Sequence, residues 1–260
     1  MDTESRNKYL IWIREARLID NAFMNAFFDN NKRAVEFILR IILDDKKLKV
    51  TDSRVETLLV NASWREVILD IYAIDGNGNN INVEIQRSNE GANVKRARYH
   101  SAMLDTHMLQ KNHRFEDIKD SYVIFITEED VFGRGLPIRR IERVFTDTGE
   151  QINDGGHIIY VNGADQNSAT ELGRLMHDFF CKDPDEMHYQ LLAKRARRLK
   201  KGDKNVESYC DKWERELLER KCIDIAKSLI AGGETSYEGI AESTGLPIEK
   251  IYELARDKAV

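Results

Sequence analysis

Val67-Ile68-Leu69-Asp70-Ile71-Tyr72-Ala73 and Ile81-Asn82-Val83-Glu84-Ile85-Gln86 are two β-prone runs, and Asp75-Gly76-Asn77-Gly78-Asn79-Asn80 lies between them as a dense cluster of turn formers. The pattern predicts a hairpin. Alternate strand residues share a face, so Leu69 and Ile71 point one way and Asp70 and Tyr72 the other, while Glu84 joins Asn82 and Gln86. If the loop is Gly76-Asn77-Gly78, with a glycine in the left-handed region, Asp70 falls opposite Glu84. A two-residue loop would instead put the two acids on opposite faces. Directly opposed residues have Cβ atoms about 5 Å apart. Two carboxylates at that distance repel by about 3 kcal/mol at an effective dielectric of 20. A cation would remove that penalty, and oxygen pairs suit magnesium. Acids on the solvent face of a hairpin are common, so the pair alone is weak. Its apolar flanks, Ile68, Leu69 and Ile71 around Asp70 and Val83 and Ile85 around Glu84, make it stronger, because a half-buried acid pair is costly.

This stretch resembles the core motif of the PD-(D/E)XK nucleases, and most of all their bacterial recombination-promoting nuclease/transposase branch. Three further segments carry the resemblance. Asp20-Asn21-Ala22-Phe23-Met24-Asn25-Ala26-Phe27 is similar to the branch's opening D-x-x-F-x-x-x-F helix. Lys95-Arg96-Ala97-Arg98-Tyr99-His100 is similar to the basic-aromatic helix after the motif strand. Tyr122-Val123-Ile124-Phe125-Ile126 is similar to the next core strand. The resemblance spans about residues 15 to 180. It implies an α/β fold, with a restriction-endonuclease-like mixed sheet flanked by helices and a helical C-terminal extension. It also implies Mg²⁺-dependent hydrolysis of DNA, with Mn²⁺ as a substitute. Asp70, Glu84 and the carbonyl of Ile85 would hold the metal. Gln86 would position the attacking water, and Asp20, or failing it Glu36, would add an outer acid. Arg87, Lys95, Arg96 and Tyr99 would contact nucleic acid. Two departures stand out. Leu69 replaces the usual Pro, and Gln86 the usual Lys. Gln86 can orient a water but brings no positive charge, which leaves Arg87, Lys95 or Arg96 to supply it. The alternative is a catalytically inactive nuclease-fold module that binds nucleic acid or a protein partner. The discriminating feature is whether a cation projects into the site.

Composition narrows the class. The 260 residues suffice for one full domain and a small appendage, and 33% charged with 42% hydrophobic residues describes an ordinary globular chain. The net charge of -5 argues against a uniformly basic DNA binder but allows a local basic patch. Cys181, Cys210 and Cys222 show no CxxC spacing, so disulfides and structural zinc are not expected. Met1 to Arg6 lacks an apolar signal core and no run has membrane-span length, so the expected location is the cytoplasm, with no membrane partner.

Along the chain, residues 8 to 43 read as helical, with Asp20 as either an N-cap or a site acid. Val50 to Val60 reads as a strand or an extended arm. Ser88-Asn89-Glu90 could cap a helix running to about Asn112, on which Arg96, Tyr99 and Met103 share a face. His100, His107 and His113 miss metal-binding spacing and read as packed or solvent-exposed. Ser121 to Thr127, Ile138 to Phe145 and His157 to Val161 read as strands, and Thr170 to Phe180 as an amphipathic helix. The expected organisation is a nuclease-like domain over 1–185, a charged helical linker over 186–222 and a helix-turn-helix-like tail over 223–260. The basic run Lys194 to Lys201 reads as a solvated face, with a nucleic-acid backbone contact as the alternative. In the tail, Ile225, Leu229 and Ile230 form one helix edge, followed by two short helices about Gly245. With only Lys250 and Arg256 as cations on its last helix, the tail reads as a packing or dimer-forming element in preference to a base reader.

Overall fold

The parallel centre of the sheet is set by Ser121–Thr127, a run of β-branched and aromatic residues that is buried on both faces. In the computed structural model this is strand β4, and residues 11–60, 66–87, 89–109, 114–201, 206–233 and 236–257 are described. The first ten residues, Ser88, Asn112 and His113 lie outside them. Two compact units divide the chain, one within 7–203 and one within 204–260.

The first unit carries a six-stranded sheet in the order β1-β2-β3-β4-β6-β5. Its elements are a helical segment α1 over 11–15, α2 (Asn21–Phe28), α3 (Lys32–Ile42), β1 (Val50–Val60), β2 (Glu66–Asp75), β3 (Asn80–Gln86), α4 (Val94–Met108), β4 (Ser121–Thr127), β5 (Ile138–Ile141), β6 (Gly156–Asn162), α5 (Glu171–Phe180) and α6 (Gln190–Lys200). Strands β1, β2 and β3 run antiparallel in turn, β3, β4 and β6 are parallel neighbours, and β5 closes the far edge antiparallel to β6. This mixed sheet flanked by helices is the α/β restriction-endonuclease-like architecture expected from the sequence.

The strand predictions over Val50–Val60 and Ser121–Thr127 match the structure residue for residue. The strand expected from Ile138 to Phe145 stops at Ile141; beyond it Val144 forms an isolated antiparallel bridge with Gln151, outside the β5–β6 ladder. The helix expected from Ser88 starts later. Asn89–Ala92 forms a 3-10 turn, and Asn93 is the cap of α4, its side chain accepting the Arg96 N–H at 2.9 Å. Phe23, Phe27 and Phe28 of α2 and Phe179 of α5 are among the largest fully buried side chains, with Phe28 and Phe179 stacked at 6.3 Å.

The basic run of α6 is largely consumed within this unit. Arg195 donates to the carbonyls of Ala26 and Asp29 at the end of α2, and Lys200 Nζ donates to those of Arg14, Ala16 and Lys182 at 2.6–2.8 Å. Burial pulls the Lys200 ammonium down to about 8 against its carboxylate neighbours.

The second unit contains α7 (Val206–Gly232), α8 (Tyr237–Thr244) and α9 (Ile248–Asp257). Ser236 caps α8 through the Gly239 N–H at 3.1 Å, and Gly245 turns the chain at φ 70°. Ala226, Ile240, Ile251 and Leu254 form its core, with Leu229 and Ile230 packed against it. Ile225, grouped from the sequence on one helix edge with Leu229 and Ile230, is 52% exposed, and Ala226 occupies the inward position. Among the described residues no helix is long and apolar enough to cross a membrane.

Candidate active site

The β2–β3 loop is the three-residue one. Asp75 N–H bonds the Asn79 carbonyl at 3.1 Å, and Gly78 takes φ 84°. The Asp75 carboxylate holds the turn from within, accepting the N–H groups of Asn77 and Asn79 at 2.8 and 2.9 Å. The resulting register pairs Ile71 with Val83 and Tyr72 with Asn82; one further step sets Asp70 opposite Glu84.

The ladder ends at Ile71–Val83, and the two acids replace its next bonds. Asp70 Oδ2 accepts the Ile85 N–H at 2.8 Å, and Glu84 Oε1 accepts the Asp70 N–H at 3.3 Å. Both carboxyl groups therefore enter the fork where β2 and β3 part. Glu84 is fully buried, while Asp70 keeps partial exposure. Burial and the Glu84 charge push the Asp70 carboxyl up to about 8, against the Ile85 N–H and Arg96. Burial also works on Glu84, but the His100 hydrogen bond and the Arg96 guanidinium outweigh it and hold Glu84 below the ordinary range.

The α4 helix covers this face of the sheet and brings the cation. Arg96 donates through Nη2 to Glu84 Oε2 at 3.0 Å, through Nη1 to the Gly91 carbonyl at 3.0 Å and through Nε to His100 Nε2 at 3.3 Å. His100, one helical turn on and buried, places Nδ1 3.5 Å from Glu84 Oε1 and 3.1 Å from the Asn82 amide. Reading His100 as merely packed or exposed missed this contact. The i, i+4 spacing from Arg96 was the available signal. Arg96 was expected to face nucleic acid; here its guanidinium lies on Glu84.

The other expected residues fall as follows. Gln86 extends past Glu84 and its amide oxygen crosses Gly91, where any Cβ would collide with it. Asp20 stands at the N-cap position of α2 without making a side-chain cap bond. It accepts the Arg17 N–H at 2.8 Å and pairs with Arg87 at 3.1 Å, while Arg87 and Arg17 also reach Glu128. Its contacts thus tie it to Arg87 at the end of β3. Glu36 accepts the Val50 N–H at 3.0 Å and pairs with Arg40, joining α3 to β1. Lys95 is exposed; Tyr99 is partly buried and packs against the cluster containing Tyr72, Phe125 and Tyr160.

One acid escaped the sequence reading. The pairings Val55–Ile71 and Thr57–Leu69 bring Glu56 level with Asp70 on the other side of β2. It takes φ 49°, accepts the Asn25 amide at 2.7 Å and adds to the field that raises Asp70. Only the β1–β2 register reveals it.

The donor set at the fork suits a hard divalent cation. It offers two carboxylates and a strand-end carbonyl at Ile85, and magnesium is commonly held by one or two carboxylates with water completing the shell. Among the described residues, no group of three or more His, Cys, Asp or Glu side chains is arranged to hold a metal. The raised Asp70 carboxyl has a stability consequence. A folded-state value near 8 against an ordinary 3.8 means the folded protein keeps a proton that the unfolded chain releases. Its contribution is full below about pH 4 and lost as pH rises through about 8. Asp70→Asn removes this loss, so in chelator its stability relative to wild type should gain up to about 4 kcal/mol between pH 5 and pH 8. Thermal melts at the two pH values read it; a pH-independent difference would contradict the burial of the pair.

A restriction-endonuclease-like sheet with an Asp/Glu pair at the fork of its second and third strands defines a nuclease-type core. A family model for the PD-(D/E)XK nuclease family transposases matches residues 17–173, which contain every strand among the described residues and the whole fork. The chain belongs to that family. Nucleases of the PD-(D/E)XK type generally use divalent metals. Comparisons with curated proteins and with solved structures found no match.

Proposed function

We propose that the protein is a metal-dependent DNA endonuclease that hydrolyses phosphodiester bonds at the β2–β3 fork. The observation that carries this reading is the convergence of Asp70 and Glu84 in the fork with Arg96 beside them. Without the usual Lys, the site needed a cation from elsewhere, and α4 supplies one. Asp70, Glu84 and the Ile85 carbonyl would hold Mg²⁺, or Mn²⁺ in its place. Bound there, the ion supplies Lewis acidity, neutralising charge that develops on the phosphate and making a water more acidic. The Gln86 amide, fixed over Gly91, orients that water. Exposed Arg87 and Lys95 guide the flanking backbone, and Asp20 sets the reach of Arg87.

The inactive-module reading has one observation in its favour: both Glu84 oxygens already have protein partners. Cytoplasmic location and a homodimer formed through the C-terminal helices belong to the same proposal. Leu218, Ile225, Tyr237 and Tyr252, each at least 40% exposed on the second unit, support the pairing.

Purified protein incubated with plasmid and linear DNA should cleave with Mg²⁺ or Mn²⁺ and stop in chelator. Equal absence of cleavage under all three conditions would favour the inactive module. Gln86→Ala should lower turnover about a hundredfold, roughly 2.7 kcal/mol, by removing the amide that holds water. Gln86→Lys should retain or raise activity. Turnover unchanged by Gln86→Ala would remove the residue from the mechanism.

A further inference from the structure

Glu84 is the one member of the carboxylate pair whose oxygens are both engaged by side chains of α4, and Arg96 makes the closest of these contacts. We infer that Arg96 is a mobile cation of the site: it pairs with Glu84 in the free protein and transfers to a backbone phosphate of the substrate when a divalent cation takes the carboxylates. This inference rests on the metal-dependent nuclease reading and adds an order of events to it.

The geometry favours such a transfer. Arg96 and a divalent cation would both claim Glu84 Oε2, and an unmoved guanidinium would stand against the incoming ion. Glu56, level with Asp70, is the further negative charge nearby. A phosphodiester offers the displaced guanidinium a new partner, whose two free oxygens it matches in bidentate fashion. Arg96 is built to make the exchange. It sits in the first turn of α4, its side chain is 37% exposed while Glu84 is fully buried, and its other anchors are a carbonyl and a neutral-capable imidazole nitrogen, neither a fixed counter-charge. His100 and the Asp70 N–H remain on Glu84 after Arg96 leaves, so the carboxylate keeps its orientation. Cation and DNA binding then assist each other, because each favours the same position of Arg96.

The test separates two effects that a purely structural role would move together. Mn²⁺ binding is followed by electron paramagnetic resonance on the full chain without DNA, alongside cleavage rates. Arg96→Met should bind Mn²⁺ about tenfold tighter than wild type, because the competing charge is gone, about 1.4 kcal/mol. Its cleavage should nevertheless fall about a hundredfold, because the phosphate loses its partner. Arg96→Gln, which keeps a hydrogen bond to Glu84 without charge, should show the same opposite signs and serves if the Met variant does not fold. Mn²⁺ affinity unchanged or weakened in a folded Arg96 variant would overturn the inference while leaving the nuclease reading standing, provided wild type binds Mn²⁺ and Asp70→Asn does not. Absence of Mn²⁺ uptake by every protein would overturn both.

Discussion

Asp70→Asn and Glu84→Gln should each reduce Mg²⁺-dependent DNA cleavage by at least about a thousandfold, roughly 4 kcal/mol of transition-state stabilisation. Each exchange removes a carboxylate that can give up its proton in favour of a cation, and almost no volume. The amide oxygen introduced at position 70 can still accept the Ile85 N–H, and the one introduced at position 84 can still accept the Asp70 N–H, so the fork keeps its shape. What is lost is half the charge that makes the fork a site for a hard cation. Matched melting curves establish that the variants are folded. Cleavage by either purified variant within tenfold of wild type would place the chemistry elsewhere.

Phe27→Ala should be the most damaging single truncation beneath the site. Phe27 is fully buried and packs edge-on to Phe28 at 5.0 Å and against Phe23 at 6.3 Å. This aromatic layer seats α2, the helix that positions Asp20 and delivers the Asn25 amide to Glu56. Truncating a buried Phe costs about 3–5 kcal/mol through lost transfer energy and the cavity left behind. For a unit of this size that corresponds to a fall in Tm of roughly 10 °C. A change under about 1 kcal/mol would mean that the layer collapses to fill the space.

The hairpin was legible because its signals are local. Period-two alternation names the faces, and Gly76-Asn77-Gly78 allows the one loop that sets Asp70 against Glu84. Strand β4 was legible for a similar reason: a strand buried on both faces reads as an unbroken apolar run. What surrounds the pair depends on long-range placement. Spacing on α4 grouped Arg96 with Tyr99 and Met103, but only the packing of α4 over β4 and β6 decides that Arg96 and His100 meet Glu84. Glu56 became visible through the β1–β2 register, which the Asp70–Glu84 hairpin does not constrain. Asp20 illustrates a different difficulty. A short acid before a helix has equal local reasons to cap or to serve a site, and here its partner is Arg87, sixty-seven residues away in sequence. The basic run of α6 shows that charge counts overstate free charge, since Arg195 and Lys200 are spent on main-chain carbonyls. The family match covers the stretch in which these motifs occur, with Leu69 and Gln86 standing where the resembling motif usually has Pro and Lys.

Crystals of the protein soaked in Mn²⁺ and measured at the manganese absorption edge test the central claim most directly. The account predicts an anomalous peak in the β2–β3 fork, within coordination distance of Asp70 and Glu84, that disappears in Asp70→Asn. Strong manganese peaks elsewhere with none in the fork would contradict it.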